Sequence, residues 1–212
     1  MPLETPGGEG EIRGELEGAP ARLEAPGKGL PWLELQLVRL RFGWARRRRS
    51  RGEFTNLFSS ERERVIELAS ACDHQRINVR VLIDRVRGLE DSSRFWSVAM
   101  TLDHLRIVNI AFAGILRSLG RGIVPEGEVS TADVKPDDSQ LADGPGVLRG
   151  FERSCDLFLR ASEKASESDP QARFPHPWFG GLGIRGWHAL GAVHLGIHRV
   201  QIERILDGLG PD

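Results

Sequence analysis

Apolar side chains recur with a helical period along most of this chain. Val65, Leu68, Cys72, Gln75, Val79, Leu82, Val86 and Leu89 follow one another in alternating steps of three and four. That spacing holds side chains on one face of a helix and predicts a bundle helix of about six turns. Ser60 followed by Glu63 has the form of a capping box and sets the expected start of this first helix. After the turn residues Asp91-Ser92-Ser93, a second stripe runs through Ser97, Thr101, His104, Leu105, Val108, Ala111, Phe112, Ile115 and Leu119. Gly120 and Gly122 are placed to end it. Leu148, Phe151, Cys155, Phe158 and Ser162 mark a third helix, which fades over residues 166–170. A fourth is expected over residues 184–206, with Gly208 and Pro211 beyond its end.

The link between helices two and three, residues 120–146, carries Pro125, Pro136 and Pro145. A connection of that length is unusual in a compact domain, and in a bundle it lets two consecutive helices run parallel. The predicted class is therefore all-α, a four-helix bundle with a long crossover between helices two and three. The aromatic, turn-rich segment 174–181 reads as a hydrophobic lid on one bundle end.

The first 52 residues follow another pattern. Residues 1–29 are rich in Gly, Pro and Glu and bury too little to offset their ordering entropy, so disorder is expected there. Residues 33–44 alternate apolar and polar as a strand does, but one short strand without a partner is not stable. Arg46-Arg47-Arg48-Arg49, with Arg51 close behind, reads as an anionic-surface or nucleic-acid tail, as a solvated linker, or as translated sequence upstream of the true start. The expected division is a disordered or poorly ordered tail over residues 1–52, adding little to stability, and a bundle domain over residues 53–209.

Composition narrows the function. The 212 residues carry 40% hydrophobic and 28% charged side chains with a net charge of -1, a balance with no global pull toward nucleic acid or anionic lipid. Cys72 and Cys155 sit on apolar helix faces, as small buried hydrophobes do in a reducing cytoplasm, where the chain is expected to reside. No apolar run reads as a membrane span, and the N-terminus has no secretory-signal pattern. No Gly-rich phosphate loop, paired-cysteine motif or nucleophile elbow is present.

The candidate chemistry lies in the histidines. His194 and His198 are four residues apart on the fourth helix, which puts both imidazoles on one face with Leu190, Gln201 and Ile205 on or beside it. His104 lies within the apolar stripe of the second helix. His74, His176 and His188 lack that shared placement. Three neutral imidazoles from facing helices can converge on one divalent metal and leave a position open, the pattern of a catalytic rather than a structural site. The competing reading is hydrogen-bonded histidines in an ordinary helix interface. Gln201 is a candidate to hold a ligand-histidine tautomer or contact a substrate. Asp103 lies about 100° around the helix from His104, toward solvent or a neighbouring helix.

Phe95-Trp96-Ser97-Val98 leading to Leu102-Asp103-His104-Leu105, then His176-Pro177-Trp178-Phe179-Gly180 leading to Trp187, then His194-x-x-x-His198-x-x-Gln201-Ile202 resemble the DinB-like, YfiT-type family of metalloenzymes. The likeness spans residues from about 54 to 207. It implies an up-down-down-up four-helix bundle in which His104, His194 and His198 bind a divalent metal, zinc or nickel. It also implies a metal-dependent transferase or isomerase that uses a low-molecular-weight thiol and a small-molecule substrate. Bundles of this type often pair, so a homodimer is an expectation. The alternatives are a non-catalytic metal-binding or stress-response bundle and a metal-dependent hydrolase. Gly183-Ile184-Arg185-Gly186 departs from the family, standing where a polar cap and an acidic residue usually open helix four.

Overall fold

In a computed structural model, the structure describes residues 23–136, 144–166 and 171–210. Their order is α1 (Trp32–Arg48), α2 (Arg51–Ala71), β1 (Val81–Leu82), a 3-10 turn (Asp91–Ser93), β2 (Phe95–Trp96), α3 (Val98–Leu119), α4 (Gly144–Lys164), β3 (Phe174–His176), β4 (Gly180–Leu182) and α5 (Ile184–Leu209). The four expected bundle helices are α2, α3, α4 and α5.

Contacts between the helices give their directions. Along α2 and α5 the partners rise together: Thr55 meets His188, Glu61 meets Arg199 and Arg64 meets Glu203, so these two run parallel. Asn109 reaches Ser154, and Gly120 lies against Ala165, so α3 and α4 are parallel as well. Phe112 packs on Trp187 while His104 packs on His198, which makes α3 and α5 antiparallel. The result is up-down-down-up, with the crossover between α3 and α4 returning the chain to the end where α3 began. Phe54, Phe58, Leu102, Phe151, Phe158, Trp187 and Leu195 fill the middle. By length and composition alone α3 could cross a membrane, but most of it is buried between α4 and α5, as befits the central helix of a bundle.

The first bundle helix starts and stops earlier than the stripe suggests. Its cap is Ser50, whose Oγ accepts the Glu53 N–H at 3.2 Å while Glu53 accepts the Ser50 N–H at 2.7 Å. This is the same reciprocal chemistry expected at Ser60, ten residues upstream. The helix ends at Cys72 because Asp73 folds the chain into a turn, its Oδ1 accepting the Gln75 N–H at 2.6 Å. Val79 and Leu82 are then exposed, and the three-four spacing through them belongs to a loop and the β1–β2 ribbon.

Residues 33–44 form no strand. They belong to α1, with Pro31 at its N-cap, Glu34 in the first turn and Arg46, Arg47 and Arg48 in the last, charges that suit the helix dipole. With no partner strand among the described residues, a sequence rich in Leu and Arg takes the conformation that satisfies its own backbone. Phe42 is buried, its ring 4.5 Å from that of Phe179 in the β3–β4 turn. At the other end, Glu34 accepts from Arg85 and from the Gly88 N–H, both at 2.8 Å. Of the segment expected to be a tail, residues 32–48 therefore lie against the bundle as a helix, and residues 1–22 fall outside the described residues.

Candidate metal centre

Antiparallel packing sets the second turn of α3 opposite the middle of α5, and three histidine rings meet there. The ring centroids of His104 and His198, and of His194 and His198, are 4.5 Å apart, and those of His104 and His194 are 5.2 Å apart. One nitrogen from each ring lies within 4.8 Å of the other two. His104 and His198 are buried, and His194 is half-buried with an edge open to a cavity.

Hydrogen bonds determine which nitrogen each ring presents. His104 Nδ1 lies 2.7 Å from the Val134 carbonyl oxygen. A carbonyl only accepts, so Nδ1 carries the proton and Nε2 presents a lone pair. His198 is set by a relay. Gln201 Nε2 donates to the Ser93 carbonyl at 2.7 Å, so its Oε1 faces His198 Nδ1 at 2.6 Å. That nitrogen must donate, and His198 Nε2 is left bare. His104 Nε2 lies 3.2 Å from His194 Nε2. Three nitrogens each about 2.0–2.1 Å from one zinc ion would stand about 3.4 Å apart in a tetrahedral arrangement, so the donor set fits a divalent metal.

Burial keeps the rings neutral. His104 is pushed down to about 4, chiefly by desolvation with the Lys135 ammonium adding to it, against the pull of the Val134 bond. His194 and His198 are held well below their ordinary value, first by desolvation and then by neighbouring imidazoles, those of His104 and His176 for His194 and those of His194 and His104 for His198. Neutral imidazole is the ligating form, so at pH 7 the cluster does not have to lose protons before it can bind.

The surroundings brace this arrangement. Trp96 lies nearly parallel to His198, with 9° between ring planes, and Lys135 Nζ sits 5.1 Å from the Trp96 ring centre. Lys135 also donates to Ser92 Oγ at 2.9 Å and Ser93 Oγ at 2.7 Å, and pairs with Glu90 at 3.2 Å. Val134, Lys135 and Thr131, which donates to Glu90, all come from the crossover. The long connection thus holds one wall of the site.

The other expected residues divide. Asp103 turns away and accepts from Arg106 at 2.7 Å, as its helical position implies. His74 is exposed. His188 is buried but stands apart from the triad, its Nε2 3.2 Å from Thr55 Oγ1. Cys72 and Cys155 are buried, and desolvation pushes the Cys155 thiol up to about 12, so it is no nucleophile at neutral pH. His176 is more central than its place between prolines suggests. On β3 it lines the cavity beside Trp178 and Phe179, and desolvation pushes it down to about 4. Glu90 and Lys135, 45 positions apart, carried no signal in the sequence, since only folding joins them.

The cavity above the triad has a volume of about 670 Å3. Its walls are mostly apolar, from Val108 and Phe112 on α3, Leu190 and Val193 on α5, and Phe42 on α1.

TT2238, described as a four-helix bundle protein, has a crystal structure that superposes with a TM-score of 0.54 at 23% identity, covering 74% of this chain and 100% of that one. At that identity the likeness supports the fold alone. No curated protein matches the sequence. The model of the DinB superfamily matches residues 57–202, which take in α3 and α4, most of α2 and α5, and all three clustered histidines. With the match extending over more than half its length, the chain belongs to the DinB superfamily.

Proposed function

We propose that this chain binds one divalent metal ion, zinc or nickel, through His104, His194 and His198, and transfers or isomerises a small substrate with the help of a low-molecular-weight thiol. The observation that carries the reading is the pair of Nδ1 hydrogen bonds, to Val134 and to Gln201, which turn the bare Nε2 atoms of His104 and His198 toward a common point. A bound divalent ion supplies Lewis acidity that lowers the pKa of a thiol and favours the nucleophilic thiolate. The chain's own residues hold the ligands, keep the floor dry and shape the entrance. Glu90 is the one carboxylate among the described residues lining the cavity, and its salt bridge with Lys135 suits it to positioning rather than to proton transfer. A reducing cytoplasm, rich in small thiols, is the compartment this reading favours.

Elemental analysis of untagged protein should give about one divalent ion per chain, by the three-ligand pattern. His104→Ala should lose it with the helices intact, and His74→Ala, altering an exposed ring, should keep it. Metal retained by His104→Ala would refute the ligand set. Screening small thiols against model electrophiles then tests activity: turnover should require both thiol and metal, and turnover without thiol would favour hydrolysis.

A further inference from the structure

We propose that the cavity selects a ligand with an apolar body and an anionic group, and that α1 and the loop following α2 supply the charge recognition. The proposal deepens the metal-centre reading and rests on it only for what meets the ligand at the cavity floor.

Arg41, Arg49 and Arg87 line the cavity. Neither Arg41 nor Arg87 has a carboxylate partner among the described residues, whereas Arg49 is close enough to Glu53 to help hold its carboxyl down, and the neighbouring cations are paired. Arg85 pairs with Glu34 and Arg94 with Asp91, each at 2.8 Å, and Lys135 on the cavity wall is matched by Glu90. The guanidiniums of Arg41 and Arg87 therefore stand beside an apolar chamber with no carboxylate among the described residues to compensate them. Such walls focus the field of charges near the mouth, and guanidinium forks match the oxygens of carboxylate, sulfonate and phosphate. A volume of about 670 Å3 suits a small organic molecule rather than a lone ion.

The position of α1 assigns this selectivity to a part of the chain beyond the family domain. The superfamily match begins at residue 57, so Arg41 and Arg49 come from outside it. The helix is fixed at both ends of the opening. Near its start Glu34 holds Arg85 and Gly88, and farther along Arg39 Nε donates to the Trp178 carbonyl while Phe42 packs on Phe179. It thereby bridges the loop that carries Arg87 and the hairpin that carries His176, and roofs the triad.

A matched pair of fluorescent probes tests the charge preference on full-length protein stripped of metal by a chelator. 1-Anilinonaphthalene-8-sulfonate and N-phenyl-1-naphthylamine share an apolar body, and only the first carries an anion. The sulfonate should bind about tenfold more tightly, the effect of a charge-assisted contact. Arg41→Gln/Arg87→Gln should remove that preference and leave the neutral probe's affinity unchanged. Val193→Trp, which fills the chamber, should weaken both probes, and decanoate should displace the sulfonate from the parent where decanol does not. Equal affinity for both probes, a preference surviving in the double variant, or no displacement by decanoate would overturn the proposal. Since no metal is present, the outcome is independent of whether the histidines bind an ion.

Discussion

Gln201→Leu tests the relay that orients His198. Gln201 is fully buried and bridges the Ser93 carbonyl, at 2.7 Å, and His198 Nδ1, at 2.6 Å. Leucine fills nearly the same volume and makes neither bond. Each group left unpaired in the interior costs about 1–3 kcal/mol, and the added apolar burial returns part of that. The net loss should be about 2–4 kcal/mol, a fall in Tm of roughly 4–16 °C for a bundle of this size. Metal affinity should fall by about 10–100-fold, because His198 loses the partner that fixes its tautomer and ring angle. Gln201→Glu separates the two effects. Its carboxylate still accepts from His198 Nδ1 but sets an oxygen against the Ser93 carbonyl, so metal affinity should survive while stability falls. Thermal unfolding by circular dichroism in chelator measures the first quantity, and competitive zinc titration against a chromophoric chelator measures the second. A folded Gln201→Leu protein that binds zinc as tightly as the parent would show that Gln201 merely anchors the Ser93 turn and plays no part in the site.

Stability of the metal-free protein should fall with acidification between pH 6.5 and about 4, because an unfolded chain protonates His104 at its ordinary 6.5 and the folded protein only near 4. That gap is worth roughly 3 kcal/mol, and His194 and His198 act in the same direction; a urea midpoint independent of pH across this window would refute the burial argument. Gly191→Ala should destabilise the bundle by about 1–3 kcal/mol, although alanine is ordinarily the better helix former, because the new Cβ would lie 2.3 Å from Phe158 Cζ; an unchanged or raised Tm would show that α4 and α5 can separate at little cost.

The bundle helices and the triad were legible in the sequence because each depends on a local period. His194 and His198 share a face by their four-residue spacing, and His104 lies in the buried stripe of its own helix. The limits of α2 were not legible. Ser50/Glu53 and Ser60/Glu63 offer the same capping chemistry, and the structure uses the earlier pair, so that Phe54 and Phe58 enter the core on a helix already formed. Nor was α1. Alternation over residues 33–44 does not by itself exclude a helix, and the absence of a partner strand among the described residues, together with the docking of Phe42 on Phe179, decided between them. The walls of the site depended most on tertiary structure. Val134 orients His104 across 30 residues, Ser93 holds Gln201 across 108, and Trp178 accepts from Arg39 across 139. A periodic pattern records which face of a segment avoids water, and that is settled one helix at a time. A hydrogen bond to a backbone carbonyl on a distant loop depends on where the whole chain has packed, and the residue type of its acceptor leaves no mark.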